Sequence, residues 1–417
     1  MLARHTSTRK SPEVKSINRF KHYFPSGVGS SILATLLAAL AAACFSAAQD
    51  ASPARQPYAV INRQAINYSG PDREASRDLP GQEIKIGILV PLEGPRQAEG
   101  EAILQAARIA VEDESASPRA GGHRLVLVAR DETGLWGRTS SELVRLVVDD
   151  NVVALVTSTN GSAAHLAEQV GNRLGVPVLA LSSDSTTTEI NIPWFFRLAP
   201  DDAAQARLFA EDIYRHRGFE RVMLVTEPGH DGREGGGQFE KAARRLGAPV
   251  PLQMEVGLSR ADRDQVAKKI ADSHPQAIVL WTGPEAAAQL LEKWGPNSPA
   301  TPVYVCQKAL NEPFLSVSAR SGLSVWKVAL VGNNGPANRD FAGRFRARAG
   351  HAPSPAASEA YDAVRLIAAG VRRAGPNRAR LRDALVKISG FSGASGEISF
   401  DGAGNNQAEV ALTKLAK

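Results

Sequence analysis

The chain has 417 residues, 43% of them apolar, and a formal net charge of +6, which is enough material for two domains of ordinary size. Five of those six charges sit in the first 48 residues, where Arg4, Arg9, Lys10, Lys15, Arg19 and Lys21 face the single acid Glu13. The remainder is nearly neutral and shows no basic patch with interleaved aromatics, so nothing in the charge points to nucleic acid as a partner.

Those first 48 residues read as a secretory signal: a basic region, a short apolar run over 32–43, and small residues through Ala48. Ser46-Ala47-Ala48 suits an ordinary signal peptidase. Cys44 offers a lipoprotein-type site and a lipid anchor, but with Ala where such sites prefer Leu. Counted from Val28 to Ala48, the stretch would just serve as an uncleaved anchor. The expected destination is the periplasm or the cell exterior. Residues 49–82, with Pro53, Pro57, Gly70, Pro71, Pro80 and Gly81 among polar neighbours, read as an extended linker. With Cys44 in the signal, Cys306 stands alone and is expected to be a buried, inert thiol.

From Ile84 onward, short apolar runs alternate with helical periodicity. Strands are expected at 84–91, 123–129, 152–157 and 176–181, and helices over 101–114, 140–150 and 162–174. This grammar is that of a parallel α/β sheet with helices on both faces. After 182–187, six consecutive hydroxyl or acid side chains, the chain enters another short strand and then a helix capped by Asp201 or Asp202. The pattern then restarts, with helices expected over 203–217, 237–246, 262–273 and 284–294 and strands at 221–226, 250–256, 277–280 and 303–306. Gly229 to Gly237 reads as a Gly-rich loop. The last part changes character: helices over 340–349, 355–373 and 378–388 precede a strand and turn at 396–402. Such a tail is expected to return to the first lobe.

Four stretches carry a resemblance. Ile84-Lys-Ile-Gly-Ile-Leu-Val-Pro-Leu92, Ser162-Ala-Ala-His-Leu-Ala167 followed by Gly175-Val-Pro-Val178, Phe196-Arg-Leu-Ala-Pro-Asp-Asp202, and Ala360-Tyr-Asp-Ala-Val364 with Gly396-Glu-Ile-Ser-Phe-Asp401 occur in the order and spacing of one family. In these the chain resembles the type I periplasmic binding proteins of the leucine/isoleucine/valine-binding kind. The resemblance implies two Rossmann-like lobes joined by a three-segment hinge, the first at 84–202, the second at 203–331, and a segment 332–417 that completes the first lobe and the hinge. It also implies a small ligand enclosed by hinge closure and passed to an ABC permease. The rival is a ligand-sensing module of the same fold that acts on a protein partner.

Candidate ligand contacts follow from the ends of the strands, where open α/β sheets bind. Ser162 stands where the family places a serine at a helix start, a natural seat for a carboxylate, although Ser is also an ordinary cap. By the family's pattern the backbone near Asp184 and the hydroxyls of Ser185 or Thr186 would face the ligand. Asp202 matches a family acid that faces an ammonium group. Where the family often shows Tyr-Gly, this chain has Asp231-Gly232, which removes an aromatic wall. With Lys308 near the far strand end, that exchange points to a polar or charged ligand rather than leucine.

Catalysis is not expected and no cofactor is implied. The eight histidines are dispersed without metal-ligand spacing, the Gly-rich loop lacks a Gly-Lys-Ser/Thr ending, and there is no Gly-x-Ser-x-Gly elbow. A hydrolase built on Ser162, His165 and Asp184 is set aside because the first two lie one turn apart on one helix, where they read as a cap and a surface side chain.

Overall fold

The computed structural model describes residues 78–116, 123–132, 134–190, 192–257, 259–294, 301–332 and 335–415. The secretory signal, Cys44 and most of the linker lie outside them. Among the described residues, no helix is long and apolar enough to cross a membrane.

The first lobe contains β1 (Glu83–Val90), α1 (Gln97–Ala116), β2 (Arg124–Asp131), α2 (Trp136–Val148), β3 (Ala154–Thr157), α3 (Gly161–Leu174), β4 (Val178–Ala180) and β5 (Phe195–Arg197). Its sheet is parallel throughout in the order β2-β1-β3-β4-β5, with Ile88 registered against Ala129 on one side and Val156 on the other. The central strands β3 and β4 are buried end to end because helices cover both faces. The edge strand β2 stays half-exposed.

The second lobe runs α4 (Asp202–Ala210), β6 (Val222–Thr226), α5 (His230–Arg245), β7 (Leu252–Glu255), α6 (Arg260–Ser273), β8 (Ala277–Trp281), α7 (Pro284–Trp294), β9 (Val303–Val305), α8 (Phe314–Ser321) and β10 (Val325–Leu330). Helix α4 continues through one π turn, Glu211–His216. Phe209 on α4 packs its ring edge against Trp281 and Tyr304, at centroid separations of 5.9 and 5.6 Å, and so locks the helix onto the second sheet.

Two readings of this lobe differ from expectation. The stretch 229–237 is not a loop: α5 begins at His230, and its Gly232, Gly235 and Gly236 serve close packing rather than turning. A Cβ on Gly232 would meet the Glu227 carbonyl oxygen at 1.9 Å, and one on Gly235 would meet the Trp281 indole at 1.7 Å. Glycine lowers helix propensity, which is why composition alone reads the segment as a loop. The sequence reading also passes over α8 and β10, two short elements that complete the lobe.

The tail forms α9 (Pro336–Ala349), α10 (Pro355–Ala374), α11 (Arg378–Val386) and a two-residue pairing of β11 (Phe391–Ser392) with β12 (Glu397–Ile398). Phe341, Ile367, Leu381 and Ile398 join the first-lobe core with Ile86 and Ile109. The chain then goes the other way. β13 (Val410–Lys414) pairs antiparallel with β10, giving the second sheet the order β13-β10-β9-β8-β6-β7. The segment 332–417 therefore contributes a strand to the second lobe as well, a correction to the expectation that it completes only the first lobe and the hinge.

The chain thus passes between lobes three times, after β5, after β10 and after β12. Two of these passages are tied together: Arg197 N–H donates to the Gly404 carbonyl at 2.8 Å, and Asn406 N–H to the Arg197 carbonyl at 3.1 Å. Gly404 has φ of +83°, and a Cβ there would stand 2.0 Å from the Phe195 carbonyl oxygen. At the other end of the lobe, Leu79 N–H bonds the Pro376 carbonyl at 2.8 Å, so the end of the expected linker is already docked on the fold.

Candidate ligand site between the lobes

Both sheets present the carboxyl ends of their strands to one cleft. On the first-lobe side, β3 ends at Thr157, and Ser158, Thr159 and Asn160 lead into α3. Asn160 is the cap: its Oδ1 accepts the N–H groups of Ser162 (2.9 Å) and Ala163 (3.4 Å). The Gly161 N–H, another of the helix's unpaired first-turn donors, is directed at the cleft. After β4, Asp184 caps a short turn, Ser185–Thr188, and accepts both the N–H (2.9 Å) and the hydroxyl (2.7 Å) of Thr186 on the same oxygen.

Arg96 organises the neighbouring wall. Its Nη2 lies 2.8 Å from Glu99 Oε1, its Nε 3.0 Å from Glu99 Oε2, and its Nη1 2.7 Å from Glu132 Oε1. Glu99 also accepts the Thr159 hydroxyl at 2.7 Å, and Glu132 the Asn160 side-chain amide at 2.6 Å. Burial raises both carboxyl groups, but the outcome differs. Glu99, held by two Arg96 nitrogens and Thr159, ends below its ordinary value, whereas Glu132, held by one Arg96 nitrogen and pushed by Glu99, ends above it.

From the second lobe come His230 and Asp231, the first two residues of α5, and Lys308 after β9. Asp231 Oδ1 accepts the Gly161 N–H at 3.0 Å, and its Oδ2 lies 2.7 Å from Lys308 Nζ. Burial disfavours the Lys308 ammonium, yet Asp231 and Glu227 outweigh it and hold its pKa above the usual lysine value. His230 Nε2 reaches Asp184 Oδ2 at 2.6 Å. Beside these bridges lies a cavity of about 580 Å³ lined from both lobes, with Arg96, Glu132 and Asn160 on one wall and Glu227, Arg263 and Lys308 on the other.

A family model described as "Periplasmic binding protein" matches residues 83–415, both lobes and the returning tail. The chain belongs to that family. Membership carries a solute-binding role rather than a catalytic one, and an extracytoplasmic location. Among relatives, the chain is 22% identical over 296 residues to "Leu/Ile/Val-binding protein homolog 3" of Brucella melitensis, covering 70% of this chain and 80% of that one. Among solved structures, it is similar to the branched-chain amino acid transporter substrate-binding protein LivJ of Streptococcus pneumoniae in complex with isoleucine, with a TM-score of 0.70 at 21% identity over 80% of this chain and 98% of that one. A solute-binding protein of an ABC transporter from R. palustris, in complex with benzoate, gives a TM-score of 0.72 at 19% identity over 80% and 93%. Identities this low carry the fold and not the ligand.

Within this periplasmic binding protein, the residues singled out from sequence divide into one cluster and three residues outside it. Asp184, Thr186, Asp231 and Lys308 meet at the contact between lobes. Ser162 is exposed on the first turn of α3, whose cap is Asn160. Ser185 turns away from the cleft: its hydroxyl accepts the Ala203 N–H at 3.0 Å. Asp202 is 3% exposed in the first turn of α4, which is capped by Asp201 through the Ala204 N–H at 2.5 Å. Burial pushes the Asp202 carboxyl well above its ordinary value, with the nearby acids Asp184 and Asp231 adding to the effect.

Sequence reasoning missed Arg96, Glu99, Glu132, Asn160 and His230, and read His165 as a surface side chain. His165 is not a free surface side chain. Its Nδ1 lies 3.0 Å from Glu168 Oε2, and its Nε2 lies 2.8 Å from the Thr186 hydroxyl and 3.2 Å from Asp184 Oδ2. Hydrogen bonds to Asp184 and Glu168 push its pKa up to about 10. Burial would raise Asp184, but the bonds from His165, Thr186 and His230 outweigh it and hold the carboxyl well below the usual range. The view that the histidines are too dispersed for a metal site is also corrected: His165, His230 and Asp184 offer ligand atoms that all lie within 4.8 Å of one another. Cys306 is buried as expected, its thiol pushed up to about 12 by burial.

Proposed function

We propose that this chain captures a small polar or amino-acid-like solute between its lobes by hinge closure and hands it to an ABC permease. The observation that carries the reading is the mixed charge of the cleft. Arg96, Arg263 and Lys308 face Glu132 and Glu227 around one cavity of about 580 Å³, next to a helix N-terminus that donates an N–H across the gap. A zwitterion matches such walls, its carboxylate set toward the start of α3 and the basic side chains and its ammonium toward the carboxylates.

The acid group is the element shared by the ligands of the two solved relatives, isoleucine in one and benzoate in the other. The carboxylate seat is therefore assigned to the Gly161–Ser162 turn and the Asp184–Thr186 loop, and the ammonium side to Asp202, whose buried carboxyl would recover its charge beside a cation. Asp231 and Lys308 replace an aromatic wall with an ion pair. That exchange favours a polar side chain over leucine.

Isothermal titration against amino acids, small carboxylates and aromatic acids tests the reading. A polar amino acid or dicarboxylate is expected to bind, with affinity lowered in Asp231→Ala and Lys308→Met. Tight leucine binding with no response to polar ligands overturns the ligand class. Stimulation of an ABC ATPase by the loaded protein separates delivery from sensing, because a sensory module binds without it. The first 48 residues are assigned to export, with a cut after Ala48 rather than lipidation at Cys44. N-terminal sequencing of the exported protein decides between them.

A further inference from the structure

His165 and Asp184 belong to the first lobe and His230 to the second, and both imidazoles converge on one oxygen of the Asp184 carboxylate. Asp184 Oδ2 lies 2.6 Å from His230 Nε2 and 3.2 Å from His165 Nε2. Its partner oxygen, Oδ1, is engaged by the N–H and hydroxyl of Thr186. The carboxylate is thus fixed through Oδ1, with Oδ2 turned to the two histidines as a single-point ligand. The two imidazoles meet edge to face with centroids 5.3 Å apart, and the ligand atoms of the three residues all lie within 4.8 Å of one another.

The far side of His165 is also prepared. Its Nδ1 is 3.0 Å from Glu168 Oε2, and Glu168 is 2% exposed. A buried carboxylate behind the imidazole holds its Nδ1–H and turns Nε2 outward, which is the outer-shell arrangement that metal-bound histidines show. Two imidazoles and one carboxylate, once the ion has displaced their shared protons, form a donor set for borderline divalent ions of the zinc type, whereas calcium and magnesium prefer all-oxygen sites.

We infer that His165, His230 and Asp184 form a site for a divalent transition-metal ion of the zinc type, bridging the two lobes, with Glu168 holding His165 in position. Ligand atoms around a tetrahedral zinc ion stand roughly 3.3 Å apart, given bonds of about 2.0–2.1 Å. Seating the ion therefore requires His230 to withdraw from Asp184 by less than about 1 Å and the two imidazole nitrogens, which lie within 4.8 Å of each other, to settle at a similar spacing. His230 opens α5 and its side chain is 29% exposed, so the movement displaces no core packing. The ion takes the place of the protons now shared among the three groups, and a fourth position stays open for water or a solute atom.

Because the ligands come from both lobes, the bound ion clips the cleft shut at its side. Asp231, which follows His230 on α5 and bonds Gly161, moves with it. Metal and solute then become linked: each strengthens the other's binding if both favour the same lobe contact. The inference rests on the histidine–carboxylate geometry and stands whether or not the proposed solute class is right.

The test is titration of ZnCl₂ into the tag-free full chain after chelator treatment, with cobalt absorption as a second readout. One Zn²⁺ per chain is expected, with a tetrahedral cobalt spectrum. Affinity should fall at least tenfold in His230→Ala and in His165→Ala and should be unchanged in the exposed control His216→Ala. Glu168→Gln should weaken it 10–100-fold while keeping one site. His230→Ala removes no buried group, so a melting curve like that of the parent keeps the result interpretable. Absence of saturable one-to-one uptake, or uptake equal in parent, His165→Ala and His230→Ala, overturns the site and leaves the cluster as a hydrogen-bonded ion network.

Discussion

Asp231 of the second lobe accepts the Gly161 N–H of the first at 3.0 Å while its other oxygen lies 2.7 Å from Lys308 Nζ. A carboxylate and an ammonium are thus held as a pair at the start of a helix, which is how a zwitterionic solute would be held there. The pair is partly buried, each side chain 18% exposed, so it is less screened than a surface ion pair.

Asp231→Ala removes the carboxylate and leaves the Lys308 ammonium half-buried with only Glu227 nearby, at 3.9 Å. The expected loss of stability is about 1–3 kcal/mol, because an uncompensated buried charge costs more than the pair contributes. Lys308→Met alone should cost less, and the double variant should recover part of the Asp231→Ala loss. Urea denaturation of the four proteins gives the coupling energy. Simple additivity would show that the pair does not hold the lobes together.

Two glycines of α5 should respond in opposite directions. Gly232→Ala drives a methyl into the Glu227 carbonyl, and the backbone must shift where Asp231 and Glu227 face the cleft. A loss of about 1–3 kcal/mol, together with weakened solute binding, is the expected result. Gly237 has nothing within 4 Å of an added Cβ. Gly237→Ala should therefore stabilise the protein by up to about 1 kcal/mol through helix propensity alone. Thermal melts of the two variants check both signs, and a neutral Gly232→Ala would mean that α5 can slide on its sheet.

Glu359 on α10 predicts a pH dependence. Burial pushes its pKa up from 4.5 to about 8, with Asp362 one turn away adding to the rise, although Gln307 Nε2 donates to its Oε1 at 2.5 Å. Its Oε2 is buried without a hydrogen-bond partner among the described residues. The folded protein therefore keeps a proton on Glu359 between pH 4.5 and about 8 that the unfolded chain has released. The stabilisation is complete below pH 4.5 and is lost progressively as pH rises to about 8, at about 1.4 kcal/mol per unit of pKa difference. Glu359→Gln should flatten that part of the stability profile and become the more stable protein above pH 8. Parallel profiles for parent and variant would show that Glu359 is not protonated in the fold.

Much of the fold was legible because its signals are local. The run at 277–281 is apolar without interruption, as a strand covered on both faces must be, and the run at 84–90 is broken only by Lys85. The loop reading of 229–237 failed because glycine has low helix propensity, and the packing that compensates lies in Glu227 and Trp281. The site was legible only in part. Asp231 and Lys308 stood out as departures from a family pattern, whereas Arg96, Glu99 and Glu132 sit in segments that look like ordinary solvated polar sequence.

By itself the sequence determined two runs of alternating strand and helix and the polar loops at their strand ends, since periodicity and turn chemistry act over a few residues. Tertiary structure decided which polar groups meet. Asp184 and His230 are 46 residues apart and Asp231 and Lys308 are 77 apart, and Asp231 reaches Gly161 over 70. Contacts of that span depend on how one sheet's strand ends face the other's across the hinge, and hydrogen-bond geometry fixed to a few tenths of an ångström is a property of that packing.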